Sequence, residues 1–405
     1  MIEPTSKETT FIIFSDDWGR HPSSCQEIAK IWLQRNCARL VWVNTIGTRP
    51  PRLDWITLRR GVEKISAWGF RRPQNEESGE TSATPEVLHP FMWPWFRTSF
   101  DRKLNQALLC RALRPYISNS TSSQEGTESP GSPGSSIVVI STLPIVADLP
   151  EALPEVARWV YYCVDDWSLW PGMDSRALAE MEKKFVSKSD LIIAAGPALR
   201  ERLLGMTPEV HLITHGVTLD MWRGTPIPSE GALARDWEPP VFAFWGLLDE
   251  RLDIAWLERL SQDLEQGTIV LAGECVSPEL QRRLGSIPRV RLTGCLPSAQ
   301  LPELAHDADV LIMPYCKNEA TRQIQPFKMM EYLASGKPAV VRDLLAAEQW
   351  RDALCVAESA EEFSRLAKLC AERGITPEER HARERLDAET WENKAVEFEK
   401  LIFER

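Results

Sequence analysis

One segment limits the fold more than any other: Asp309 to Val341, DVLIMPYCKNEATRQIQPFKMMEYLASGKPAVV. Val310–Met313 is an apolar run without alternation, as expected of a strand buried on both faces of a parallel sheet. A polar loop follows. Pro326 then suits the first turn of a helix, where its missing N–H would have no intrahelical partner. Gly336 and Pro338 stop that helix, and Ala339–Val341 begins a new strand. Open α/β sheets bind ligands beyond the carboxyl ends of their strands, beside helix N-termini. Asn318, Thr321, Arg322, Gln323, Lys328 and Glu331 are therefore expected there. Lys328 and Glu331 are three apart and share a helix face. A cation and an acid so placed suit a ligand with both phosphate and sugar hydroxyls. The plain alternative is a weak surface ion pair, and the surrounding order of strand, loop and capped helix argues against it.

The same alternation recurs along the chain. Apolar runs stand at Phe11–Phe14, Leu40–Val43, Ile137–Ile140, Trp159–Val164, Leu191–Ala194 and Val210–Ile213. Six more stand at Val241–Trp245, Thr268–Leu271, Val290–Leu292, Val310–Met313, Ala339–Val341 and Leu354–Val356. Helical stretches such as Ser24–Gln34 and Phe100–Leu113 lie between several of them. Two halves of this kind predict an α/β chain of two Rossmann-like domains facing a cleft. At 405 residues there is room for two cores. The join is expected near 216–240, where Pro and Gly become dense. Residues 118–136 and 72–88 read as polar surface insertions, and Glu378–Arg405 reads as strongly helical.

A net charge of −11 disfavours a nucleic-acid partner, which needs a basic face. No stretch approaches the roughly 18–20 apolar residues of a membrane span. The N-terminus lacks the features of a signal peptide, and the nine cysteines form no zinc-like cluster. A cytoplasmic protein is expected, with peripheral contact at the inner membrane face left open. Cys163 and Cys355 lie in apolar runs and read as small buried hydrophobes. Most of the 16 tryptophans read as packing, with Trp93 and Trp95 in FMWPWF a lesser candidate for an acceptor platform.

The run P-x-K-x-x-E-Y-L-A-x-G-K-P, Pro326 to Pro338, resembles the donor-site signature of GT-B glycosyltransferases. The resemblance is to the retaining class that includes teichuronic-acid-type and other cell-surface polysaccharide transferases, and it extends over roughly residues 10–400. It implies an acceptor domain over 1–217, a donor domain over 218–384, and a final helix near 385–405 crossing back to the first domain. It further implies a nucleotide diphosphate sugar as co-substrate, no separate cofactor and no metal. The acceptor would be a sugar, polysaccharide or lipid-linked hydroxyl. Glu331 would hold the ribose, Lys328 and Arg251 the diphosphate, and Gly246 would allow close backbone approach. Asn318, Thr321 and Gln323 would line the donor pocket, and Leu296 the base. Of Asp165 and Asp166, at the carboxyl end of another strand, one is a candidate for orienting an acceptor hydroxyl or binding a cation, with Asp166 preferred, and the other for capping the next helix. Asp16 and Asp17 carry the same ambiguity, and Ser23 and Ser24 read equally as caps or ligand contacts. His215 is as readily structural as catalytic.

One departure stands out. Many retaining members carry a second glutamate eight residues before the first, and here that position is the uncharged Gln323. A nucleotide-sugar epimerase or a non-catalytic donor-binding protein of the same fold therefore stays in view. A dinucleotide-dependent dehydrogenase does not, because no G-x-G-x-x-G follows an early strand.

Overall fold

The computed structural model describes residues 9–20, 23–35, 39–45, 84–122, 136–169, 174–224, 237–318, 321–322 and 324–404. The chain divides into two compact units. One comprises residues 1–194, 202–211 and 398–405, the other 195–201 and 212–397.

The first unit is built on a seven-stranded sheet. Its strands are β1 (Thr10–Ser15), β2 (Arg39–Asn44), β3 (Glu86–Leu88), β4 (Ile137–Ser141), β5 (Arg158–Cys163), β6 (Leu191–Ala194) and β7 (His211–Leu212), in the order β3-β2-β1-β4-β5-β6-β7. From β3 to β6 every neighbouring pair is parallel. β1 and β4 are wholly buried, which explains their unbroken apolar runs. The end of the chain also contributes, because Phe398 packs edge-on against Trp32 and Tyr162.

The second unit repeats the plan with β8 (Val241–Trp245), β9 (Thr268–Ala272), β10 (Val290–Gly294), β11 (Val310–Met313), β12 (Ala339–Arg342) and β13 (Cys355–Ala357). These lie in the order β10-β9-β8-β11-β12-β13, all parallel. Each sheet reverses its strand order once, at β1/β4 and at β8/β11. Such a reversal opens the crevice in which doubly wound folds hold their ligands. Several helices start on side chains that cap them. Ser277 caps Pro278–Gly285, Ser359 caps Ala360–Arg373, and Thr376 with Glu379 forms a capping box for Pro377–Ala382.

All twelve strands expected from the apolar runs are present, within one or two residues of their expected ends. The thirteenth, β3, corrects the reading of 72–88 as polar loop. Three residues at a sheet edge carry too little pattern to be seen in sequence, and residues 72–83 lie outside the described set. The helix expected over Phe100–Leu113 runs further, from Ser99 to Ser122, with Pro115 inside it. It thereby takes in the start of the supposed insertion at 118–136. The C-terminal stretch is interrupted: Pro377–Ala382 passes into a 3-10 turn over Arg383–Ala388, and a separate helix spans Trp391–Phe403.

Candidate active site

The site is assembled at the carboxyl end of β8 by the helix that follows β11. That helix runs from Phe327 to Ala334, with Pro326 in the extended N-cap position and Gly336 beyond its end at φ +74°. Its apolar residues Met329, Met330 and Leu333 turn inward, leaving Lys328 and Glu331 at the edge of the core.

Lys328 is held by three aromatic or backbone surfaces. Its Nζ donates to the Tyr315 hydroxyl at 2.6 Å. The same ammonium lies 4.5 Å from the centre of the Phe244 ring and 5.0 Å from that of Tyr315. It also occupies the space a side chain at Gly246 would need, since a Cβ there would stand 2.4 Å from Nζ. Gly246 has φ +124°, a conformation open to glycine. The backbone behind it is equally close, because a Cβ on Gly273 would stand 1.8 Å from the Gly246 carbonyl oxygen.

Glu331 faces the next residue of the strand. Trp245 Nε1 donates to its Oε2 at 2.7 Å, and the Trp245 ring stacks on Trp222 at 5.5 Å. Burial holds the Glu331 carboxyl above the ordinary carboxylate value, while the Trp245 hydrogen bond and the Lys328 charge pull it back. The helix thus lays a cation against Phe244 and Gly246 and an acid against Trp245.

The other expected site residues fall in different surroundings. Arg251 turns its guanidinium to the buried carboxylate of Asp249, with Nε 2.8 and 2.9 Å from its two oxygens, and lies 5.7 Å from the Tyr315 ring centre. The amides of Gly246 and Leu248 already donate to Ala272 and Glu274. Asn318 and Thr321 hold each other: the Thr321 amide donates to Asn318 Oδ1 at 2.9 Å, and the buried Thr321 hydroxyl donates to the Cys316 carbonyl at 2.5 Å. They shape the loop that carries Tyr315. Leu296 packs at the edge of the core after Gly294. Gln323 lies outside the described residues.

In the first unit Asp166 takes the capping role that was expected of its neighbour. It accepts from the Ser168 amide at 3.0 Å and hydroxyl at 2.5 Å, and its other oxygen lies 3.4 Å from Arg202. Arg202 also pairs with the buried Glu182 at 2.5 Å. Ser23 caps its helix and donates to Asp16, which also accepts from Gln26 at 2.6 Å. Trp93 donates to Asp101 and packs on Trp95 at 4.8 Å. Among the described residues, no group of three His, Cys, Asp or Glu is placed to hold a metal ion. No helix among them is long and apolar enough to cross a membrane.

Phe244, Trp245 and Tyr315 were missed in the sequence. The usable signal was position: each stands at or just past the carboxyl end of a strand at the reversal point of the sheet. An aromatic residue there reads as core until the strand order is known.

His215 is packed into the interior of the second unit. It is 4% exposed, stacks on Phe327 at 4.1 Å, and its pKa is pushed down to about 4, chiefly by burial. The folded protein keeps this ring neutral, whereas the unfolded chain protonates it near 6.5. Its contribution to stability is therefore full above about pH 6.5 and is lost as pH falls toward 4, by roughly 3 kcal/mol in all. Thermal melts of wild type and His215→Gln from pH 7.5 to 4 should show the steeper loss in the wild type. Parallel curves would exclude His215 as the titrating group. Glu331 has the opposite sign but is common to both proteins, so it cancels in the comparison.

Residues 239–371 match the model of the family described as glycosyl transferases group 1. The chain is 23% identical over 199 residues to the Bacillus subtilis (strain 168) protein named as the teichuronic acid biosynthesis glycosyltransferase TuaH. That match takes in 46% of this chain and spans about half (50%) the length of the relative. Among solved structures, the Anabaena protein Alr3699/HepE in complex with UDP superposes with a TM-score of 0.58 at 14% identity, over 98% of this chain and 96% of the other. Sucrose-phosphate synthase from Thermosynechococcus elongatus superposes with a TM-score of 0.64 at 14% identity, over 97% and 98%. With two parallel α/β units and neighbours of this kind, the chain has the GT-B fold, and its residues 239–371 are similar to the glycosyl transferases group 1 family.

Proposed function

We propose that the chain transfers a sugar from a nucleoside diphosphate sugar to an acceptor hydroxyl, with retention, in the synthesis of a polysaccharide or glycoconjugate. The observation that carries this reading is the pairing of Lys328 under Gly246 with Glu331 against Trp245, on one face of one helix. The diphosphate lies at Lys328 and the ribose hydroxyls donate to Glu331. As the glycosidic bond breaks, negative charge grows on the leaving diphosphate. A fixed ammonium beside it stabilises that charge more than it stabilises the bound donor. The departing phosphate can take the acceptor proton, so no strong protein base is needed. The UDP named in the HepE complex and the polysaccharide named for the Bacillus relative support the donor and product classes.

The uncharged Gln323 supports a second reading, donor binding with epimerisation or without turnover. Incubation with UDP-, GDP- and ADP-hexoses, following nucleoside diphosphate release with and without a panel of hydroxyl acceptors, tests both. Release from one donor, accelerated by an acceptor, is expected. Binding with no release across the panel would favour the second reading, and no binding of any nucleoside diphosphate would overturn both.

A further inference from the structure

Away from the donor site, two cysteines of the second unit lie in contact. Cys355 begins β13 and Cys370 lies in the helix Ala360–Arg373, and their sulphurs are 3.5 Å apart. Arg373 Nη2 stands 3.3 Å from the Cys355 sulphur and 3.7 Å from that of Cys370. The guanidinium is itself fixed by Glu379, at 2.6 and 3.1 Å, and Glu379 is fixed by its capping box with Thr376. Cys355 is partly exposed, whereas Cys370 is 1% exposed. Among the described residues, no other two cysteine sulphurs lie within hydrogen-bonding range of each other.

We propose that Cys355 and Cys370 are a peroxide-oxidisable dithiol that closes to a reversible disulfide, with Cys355 the sulphur that reacts first. The sulphurs need approach by only about 1.5 Å to reach bonding distance. Cys355 is the accessible partner and has the nearer cation. The Cys370 hydrogen bond and Arg373 draw its thiol down to about 7, against burial and the Glu379 charge, while the Cys370 thiol is pushed up. In the first step the Cys355 thiolate attacks one oxygen of hydrogen peroxide. The O–O bond breaks, hydroxide leaves, and the sulphur becomes a sulfenic acid, two electrons oxidised. In the second step the Cys370 sulphur attacks that of Cys355. The S–S bond forms, the S–O bond breaks, and the thiol proton leaves with the hydroxyl as water. A thiol reductant reverses the pair.

The test treats the full reduced chain with hydrogen peroxide, quenches with an alkylating agent, and quantifies digested peptides by mass spectrometry. The expected product is a Cys355–Cys370 peptide pair lighter by two hydrogens and restored by dithiothreitol. It should form several-fold faster than the exposed Cys295 is lost. Cys370→Ser should stop at a dimedone-reactive Cys355, and Arg373→Met should slow oxidation several-fold without changing the product. Oxidation of Cys355 no faster than Cys295 in the wild type, or no cross-link once Cys355 has reacted, would overturn the proposal even if the variants fold poorly.

Discussion

Replacing Lys328 with methionine should lower the turnover number by about 10²–10³-fold while changing the apparent donor affinity much less, as for loss of one preorganised charge-stabilising donor. The reason lies in where charge develops. In the proposed reaction the bound donor already carries its diphosphate charges, which solvent can share, whereas the charge added on bond cleavage appears on the oxygen nearest the reacting carbon. A cation pinned between Phe244, Tyr315 and the Gly246 backbone cannot follow solvent and needs no reorganisation when that charge appears. Methionine keeps the unbranched stem and its packing but removes the ammonium. Tyr315→Phe is the companion change: it keeps the ring and loses only the hydroxyl that accepts from Nζ at 2.6 Å. Its effect should be smaller, about tenfold, because the rings still confine the ammonium. Initial-rate kinetics with the donor found in the release assay would check both. A Lys328→Met enzyme within a few-fold of wild type, with unchanged melting temperature, would remove Lys328 from the chemistry.

That Lys328 and Glu331 belong together was legible in the sequence because a helix fixes the i, i+3 relation locally. Both parallel sheets were legible for a similar reason, since buried parallel strands leave unbroken apolar runs. What could not be read is contact across the sheet. Nothing in the spacing of 245 and 331 says that Trp245 donates to Glu331. Nothing marks Tyr315 as the partner of Lys328 in place of a core residue. These contacts depend on β8 and β11 being neighbours, a fact of strand order. Polar loop residues misled in the other direction. Asn318 and Thr321 had the right chemistry for a ligand, yet they bond to each other and to the loop backbone. Short polar side chains beside a turn commonly satisfy their own backbone first. Arg251 was likewise the nearest cation in sequence to Gly246. Asp249, two residues before it, is buried and takes its guanidinium.

Glu331→Gln should weaken nucleoside diphosphate binding by about 1–3 kcal/mol, the range for losing a hydrogen bond to a charged group. It should leave folding stability at neutral pH equal or higher. The two effects have one cause. Burial raises the Glu331 carboxyl, so the folded chain holds its proton to higher pH than the unfolded chain does. That contribution is present below the unfolded value near 4.5 and is lost as pH rises through the folded value. At neutral pH the apo protein therefore carries a carboxylate that folding disfavours. Glutamine removes that penalty, and its amide oxygen can still accept from Trp245. It cannot accept two ribose hydroxyls as a carboxylate does, so the ligand loses what the fold gains. The same reasoning gives a pH signature: wild-type affinity should fall on acidification from a higher pH than an ordinary carboxylate would allow, and the variant should lack that fall. Calorimetric titration with UDP, GDP and ADP between pH 5 and 8, alongside thermal melts of both proteins, measures each part. Unchanged affinity in the variant would show that the nucleotide does not reach Glu331. Reduced affinity together with a large loss of stability would instead make Glu331 a structural residue, held for its bond to Trp245.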